Sequence, residues 1–169
     1  MIRLPDHPVT LEPLRADHAD AVLAFERENR EYFGSWVWDR GDDYFEHFAA
    51  RHAALLAEQA AGICRFHVLV DDAGAVAGRV NLIDLENGSA ELGYRIAEKW
   101  AGKGLATAAV RAIIGLAATE YALTTLWAGA SDRNPASQAV LTRAGFRQVG
   151  ITNRDLGPGK RYELSLEAT

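Results

Sequence analysis

The 169-residue chain has a single cysteine, Cys64. No intrachain disulfide can form, which fits a reducing compartment. The Cys64 thiol itself reads as a buried or strand-start residue rather than a nucleophile. No apolar run approaches the length of about 20 residues that a membrane helix needs, so no membrane partner is expected. The opening residues Met1-Ile2-Arg3-Leu4-Pro5-Asp6-His7 lack the apolar core of an export signal, and the expected location is cytoplasmic. Excess basic charge is also missing: 18 Lys and Arg face 23 Asp and Glu, for a net charge of −5. A non-specific nucleic-acid binder normally carries a basic face, so nucleic acid is not an expected partner. The five histidines, His7, His18, His47, His52 and His67, show no metal-ligand spacing, and none pairs with the cysteine. No metal is expected. Linkers rich in Gly and Ser, repeats and low-complexity segments are absent too. With 49% hydrophobic and 24% charged residues, the composition suits one folded domain over residues 1–169.

Periodicity and turn residues set the order of elements. Residues 9–15 alternate and predict a strand, with Pro13 marking a sheet edge. Asp17 is placed to cap a helix carrying Val22, Leu23 and Phe25. A polar and aromatic link at 29–38 leads to a second helix near Gly41-Asp42-Asp43. Tyr44, Phe45, Phe48, Leu55 and Leu56 recur in it at helical spacing, and Gly62 ends it. Three strands follow at 66–70, 76–85 and 89–96, joined by turns at Asp71-Asp72-Ala73-Gly74 and Glu86-Asn87-Gly88. A glycine loop then opens a helix with Leu105, Ala108, Ala109, Ala112, Ile113 and Leu116 on one face. A strand at 124–130 precedes a helix with Asn134 as N-cap, Pro135 at its first position and Gly145 just past its end. Strands at 146–151 and 161–166, linked by 155–160, close the chain. The expected fold class is α/β (α+β): a mixed, mostly antiparallel seven-stranded sheet with four helices. The order is strand, two helices, three strands, helix, strand, helix, two strands.

The loop Lys99-Trp100-Ala101-Gly102-Lys103-Gly104-Leu105-Ala106-Thr107 carries the chemistry. Free backbone N–H groups, the positive end of a helix dipole and a nearby lysine suit a phosphate. A dinucleotide fingerprint needs a third glycine where Thr107 stands, and a P-loop needs Ser or Thr directly after Lys103, where Gly104 stands. The preceding strands are joined by tight hairpins and are therefore antiparallel. Both nucleotide readings fail.

What remains resembles the GNAT superfamily of N-acetyltransferases, in its RimJ/RimL-like branch. The resemblance rests on Glu91-Leu92-Gly93-Tyr94-Arg95-Ile96, on Lys99-x-x-Gly102-x-Gly104, on Asn134-Pro135-Ala136-Ser137 and on Arg143-Ala144-Gly145-Phe146, in that order over residues 8–167. The family's usual Arg or Gln is Lys99 here. The resemblance implies acetyl-CoA as co-substrate and direct transfer of its acetyl group to an amine. It implies that the backbone of Tyr94, Arg95 and Ile96 pairs with the pantetheine arm, and that the amides of Gly102, Lys103, Gly104, Leu105 and Ala106 hold the pyrophosphate. Lys103 then either adds charge or stays a solvated surface lysine. Asn134 contacts the cofactor besides capping its helix, and Ser137 gives a proton to the leaving thiolate. Glu91 has two readings, general base for the amine or structural partner of Arg95 or Arg79. Strand alternation sets Glu91, Gly93 and Arg95 on one face and Leu92, Tyr94 and Ile96 on the other. Asp155 is a second candidate base.

The acceptor is expected against the first helix pair and its link. Tyr32, Phe33, Trp36 and Trp38 there offer an aromatic floor for a cationic amine, or plug the core beneath the helices. The segment 155–160 is expected over the same cleft. A protein or peptide N-terminal amine is the expected partner. The alternatives are a small amine (antibiotic, polyamine or amino acid) and a non-catalytic acyl-CoA-binding module. A homodimer follows only by analogy with the branch.

Overall fold

Hairpins at both predicted turns set the core of the sheet. In the computed structural model, which describes residues 1–154 and 157–167, Asn87 and Gly88 both take positive φ (51° and 78°). Such a pair matches the right-handed twist of the flanking strands. It joins β4 (Val76–Glu86) to β5 (Ser89–Ile96), while Asp71 and Gly74 turn β3 (Arg65–Asp71) into β4. The complete order across the sheet is β1-β2-β3-β4-β5-β6-β8-β7. Here β1 is Ile2–Arg3, β2 Val9–Pro13, β6 Thr125–Ser131, β7 Arg147–Arg154 and β8 Gly157–Ser165. Every pairing is antiparallel except β5 with β6.

Among the described residues the sheet has eight strands where seven were expected. The extra one, β1, is only two residues long and shows no alternation. It is held on β2 because Leu4 is buried and its N–H donates to the Val9 carbonyl at 3.0 Å. The two closing strands are longer than expected. β7 runs to Arg154 and β8 starts at Gly157, so most of the expected link 155–160 is ladder. The glycines at 157 and 159 hide this from a propensity reading. A Cβ on Gly159 would lie 2.5 Å from the Ala130 carbonyl oxygen, so only glycine fits that register.

The two expected early helices are four. α1 (Ala19–Glu28) is followed by α2 (Arg30–Gly34) inside the aromatic link, and the next helical stretch breaks at His47 into α3 (Asp42–Glu46) and α4 (Phe48–Ala60). Asp17 does not cap α1. It lies in a 3-10 turn, Ala16–His18, and its carboxylate pairs with Arg15 at 3.1 Å.

α1 to α4 cover one face of the sheet through Val22, Phe25, Phe33, Tyr44 and Phe48, packed on Phe66 and Val68. α5 (Leu105–Thr119) and α6 (Pro135–Arg143) cover the other. Leu105, Ala109, Val110, Ile113 and Ala117, at helical spacing, pack with Leu141 onto Val80, Leu82, Leu92 and Leu126. Cys64 is buried just before β3, and burial pushes its thiol pKa up. Both place it as a packing residue.

Candidate active site

The site starts where two parallel strands part. β5 and β6 pair only from Ser89/Thr125 to Glu91/Trp127. Beyond that point β5 continues to Ile96 on β4 alone, and β6 continues to Ser131 on β8 alone. β4 follows β5 closely to its end because residue 78 is glycine. A Cβ there would stand 2.8 Å from both the Arg95 carbonyl oxygen and the Ile96 side chain. The free edge of β5 from Leu92 onward thus faces an opening rather than a neighbour.

Two connected spaces occupy the opening. The larger, about 530 Å³, gathers most of the residues singled out in the sequence. Tyr94, Arg95, Ile96, Gly102, Gly104, Leu105, Ala106, Asn134 and Ser137 line it, as do Tyr32, Phe33 and Trp36. The smaller, about 220 Å³, shares Trp36, Tyr94, Asn134 and Ser137 and extends over Glu91, Gly93, Gly129, Thr152, Gly157 and Gly159. Glu91 is therefore in the opening, on the far side of Ser137 from the glycine loop. Lys99 and Lys103 are not among the described lining residues. The Lys103 ammonium lies 5.7 Å from the centre of the Trp100 ring. Trp38 stands apart as well, exposed beside Arg30, Asp39 and Phe45. Asp155 lies outside the described residues.

The loop geometry suits an anionic, phosphorylated group. Gly102 and Gly104 have φ of 73° and 80°, where glycine is unstrained. Gly104 is the N-cap of α5 and offers no side chain, and the first turn of α5 carries no acid. The first N–H groups of the helix have no intrahelical partner and open on the cavity. The space beside Gly102 is clear: a Cβ there would meet nothing within 4 Å.

Two side chains that sequence reasoning passed over hold this loop. Asn29, buried at the end of α1, donates from Nδ2 to the Phe25 carbonyl (2.9 Å) and accepts the Glu98 N–H on Oδ1 (3.0 Å). It fixes the 3-10 turn Glu98–Trp100 that leads into the glycines. The His7 ring spans the carbonyl oxygens of Pro5 (3.0 Å) and Lys103 (2.9 Å), tying the β1–β2 turn to the loop. The signal for Asn29 was readable, since it shares the Val22, Phe25 and Glu26 face of α1. No local pattern marks His7.

Across the opening, Asn134 accepts the Ser137 N–H at 3.2 Å, the expected cap, and Gly145 takes the expected left-handed conformation (φ 101°) beyond α6. Ser137 Oγ lies 2.8 Å from the Tyr94 hydroxyl. Burial pushes the Tyr94 phenol up to about 12, against a smaller lowering by the Ser137 hydrogen bond, so it keeps its proton near neutrality. On the helical side, Arg95 is held by Glu26, which Arg40 and Arg79 also contact. The expected structural partner for Arg79 and Arg95 is thus at least in part Glu26, a charge on the apolar stripe of α1.

The acetyltransferase (GNAT) domain family model matches residues 9–147. The chain belongs to this family. As a GNAT protein it is an acetyl-CoA-dependent N-acetyltransferase, and its splayed sheet is the GNAT fold expected from the sequence. The putative ribosomal N-acetyltransferase YdaF of Bacillus subtilis (strain 168) is 31% identical over 152 residues, covering 84% of this chain and 79% of its own. RimJ of Mycobacterium smegmatis, solved in complex with CoA-disulfide, superposes with a TM-score of 0.86 at 24% identity, covering 97% of this chain and 85% of its own. Spermidine N-acetyltransferase from Vibrio cholerae, solved in complex with CoA and spermine, gives a TM-score of 0.78 at 20% identity, covering 94% and 96%. At those identities the two structures speak to the fold. No helix among the described residues is long and apolar enough to cross a membrane.

Proposed function

We propose that this GNAT enzyme is RimJ/RimL-like and acetylates the N-terminal amine of a protein or peptide. The observation that carries the reading is the floor of the smaller groove. Gly93, Gly129, Gly157 and Gly159, from three strands, line it beside Ser137, and Glu91 is the single carboxylate among its described lining residues. A floor without side chains admits an extended peptide backbone. A polyamine, with several cationic centres, calls for several carboxylates. The ribosomal designation of YdaF and the likeness to RimJ support the same reading.

Acetyl-CoA supplies an activated acetyl thioester with a thiol as leaving group. The residues then have few tasks. The first-turn amides of α5, with Gly102 and Gly104, hold the pyrophosphate, and the free edge of β5 at Tyr94, Arg95 and Ile96 holds the pantetheine arm. Asn134 adds a polar contact at the mouth of α6. Glu91 takes the proton that makes the amine nucleophilic, directly or through a water. Ser137 gives its hydroxyl proton to the departing sulfur. Holding amine and thioester on two sides of one residue supplies the proximity term, and no acyl-enzyme is required. The expected pyrophosphate cation at Lys103 and the expected aromatic role of Trp38 have no support from their positions. Trp36 remains as a wall shared by the two spaces, while Tyr32 and Phe33 line the larger one.

The likeness to spermidine N-acetyltransferase supports a second reading, a small polyamine acceptor. A thiol-release assay with acetyl-CoA across N-terminal peptides, polyamines and aminoglycosides separates the two. Preferred turnover of peptides is expected. Turnover of polyamines alone supports the second reading. Glu91→Gln is expected to move the alkaline-rising limb of the pH–rate profile, and an unmoved limb removes Glu91 as the base.

A further inference from the structure

We propose that Tyr94 is a positioning residue for Ser137: its phenol donates to Ser137 Oγ and so aims the serine's only proton into the cavity. The inference rests on the reading of Ser137 as proton donor given above.

Tyr94 lies beyond the last β5–β6 pair, and its side chain crosses the gap between the strands to reach α6. Its oxygen is 2.8 Å from Ser137 Oγ and 3.4 Å from the Ser137 carbonyl oxygen. A phenol is a stronger acid than an alkyl alcohol, so in a bond between the two hydroxyls the phenol is the favoured donor. The bond occupies an acceptor site on Oγ and leaves the Ser137 O–H unused. Serine near a helix start otherwise turns its hydroxyl back to local backbone groups. Here the Ser137 hydroxyl meets the Tyr94 phenol instead, while the Ser137 N–H goes to the Asn134 side chain. Asn134 thus holds the Ser137 backbone and Tyr94 meets its hydroxyl, and both also line the cavity.

The proton count closes without a charge on Tyr94. The Ser137 O–H bond breaks as an S–H bond forms on the departing thiol, and Oγ regains a proton from the one the attacking amine releases. Tyr94 keeps its own proton throughout, which agrees with its high pKa. Its contribution is the direction and polarity of the serine hydroxyl.

The test is a double-mutant cycle of Tyr94→Phe and Ser137→Ala, read as the single-turnover rate of acetyl transfer to the best peptide acceptor at saturating acetyl-CoA. Tyr94→Phe keeps the ring, and its acetyl-CoA affinity and thermal midpoint are measured alongside. The expected result is a loss of about 3- to 10-fold from Tyr94→Phe in the wild-type background, with acetyl-CoA affinity within about twofold. In the Ser137→Ala background Tyr94→Phe is expected to cost nothing further. Equal losses in both backgrounds, or an unchanged rate with weakened acetyl-CoA binding, overturn the proposal. If Ser137→Ala slows transfer and Tyr94→Phe does not, only the Tyr94 assignment fails. If Ser137→Ala itself leaves the rate unchanged, the reading of Ser137 fails and the positioning role falls with it.

Discussion

The Glu26 carboxylate, 1% exposed, meets the Arg79 guanidinium at 3.0 Å between α1 and β4. Arg40 and Arg95 approach the same carboxylate at 3.1 Å each. Arg95 also lies over the Phe33 ring, 4.9 Å from its centre, and lines the larger cavity. One buried anion thus clasps the helical layer to the strand edge that faces the proposed pantetheine path. Three guanidiniums around one carboxylate make the arrangement asymmetric: any arginine can be lost with a cation to spare, whereas loss of the anion leaves like charges facing one another.

Glu26→Gln is therefore expected to destabilise strongly, by about 3 kcal/mol or more, the cost of breaking a buried pair from one side. Denaturant melts at neutral pH measure it. Burial acts to raise the Glu26 pKa, but Arg40, Arg79 and Arg95 outweigh it and hold the carboxyl below the usual range. A depressed carboxylate pKa means stability that is complete above the unfolded value and lost as pH falls through the folded one. The variant should lose that acid limb. A stability profile for Glu26→Gln that still falls as steeply in acid as the wild type would refute the assignment.

His67, on the other face of the sheet, supplies a second titration of the same sign. It sits in β3 beneath α5, with Nε2 2.6 Å from the Tyr121 hydroxyl, and burial first and the charge of Arg65 second push its pKa down to about 4. The folded state resists a proton that the unfolded chain accepts near 6.5. Stability is therefore expected to be complete above pH 6.5 and to decline as pH falls toward 4, by up to about 3 kcal/mol. In His67→Leu this slope should flatten between those limits, and urea midpoints at a series of pH values check it.

How much of this was legible follows the range of the signals. The Asn87-Gly88 hairpin, the Asn134-Pro135 cap and the apolar stripe of α5 are local patterns, and each stands where the sequence placed it. β1 escaped because two residues make no period. β8 was cut short because Gly157 and Gly159 read as a loop, although backbone contact with Ala130 is what requires the glycine at 159. In the site, the glycine loop was readable from spacing, and Ser137 was singled out through the resemblance to the family. The Tyr94–Ser137 bond joins residues 43 positions apart, and Glu26 reaches Arg79 across 53, so nothing in either neighbourhood announces the partner.

His7 gives a prediction about the loop. Its Nε2 stands 2.9 Å from the Lys103 carbonyl oxygen and is the nearest atom a Cβ on Gly104 would meet, at 3.9 Å. His7→Ala removes one of the two side-chain anchors without touching the cavity lining. Acetyl-CoA affinity is expected to weaken by about 3- to 10-fold, the worth of one hydrogen bond spent on ordering, with the rate at saturation held within about twofold. Calorimetric titration measures the first and single turnover the second. Gly104→Trp serves as the strong comparison, since a non-glycine side chain at φ 80° distorts the loop itself and should abolish binding.

Gly129 separates the acceptor from the donor. It is exposed on the floor of the smaller groove, its φ is not positive, and a Cβ there would meet only Thr152 Cγ2, at 3.8 Å, an ordinary contact. Gly129→Val therefore fits the strand, and the β-branched side chain favours extended backbone. Thermal stability is expected to hold or rise. The added side chain takes up floor that the proposed peptide backbone needs, so the KM for an N-terminal peptide should rise about tenfold, the effect of losing roughly 1.4 kcal/mol of binding. Acetyl-CoA affinity, set at the loop on the other side of Ser137, should not move. A peptide KM unchanged in a folded Gly129→Val protein would place the acceptor elsewhere. A rise in KM together with loss of acetyl-CoA binding would mean that the two spaces are not separable as donor and acceptor sites.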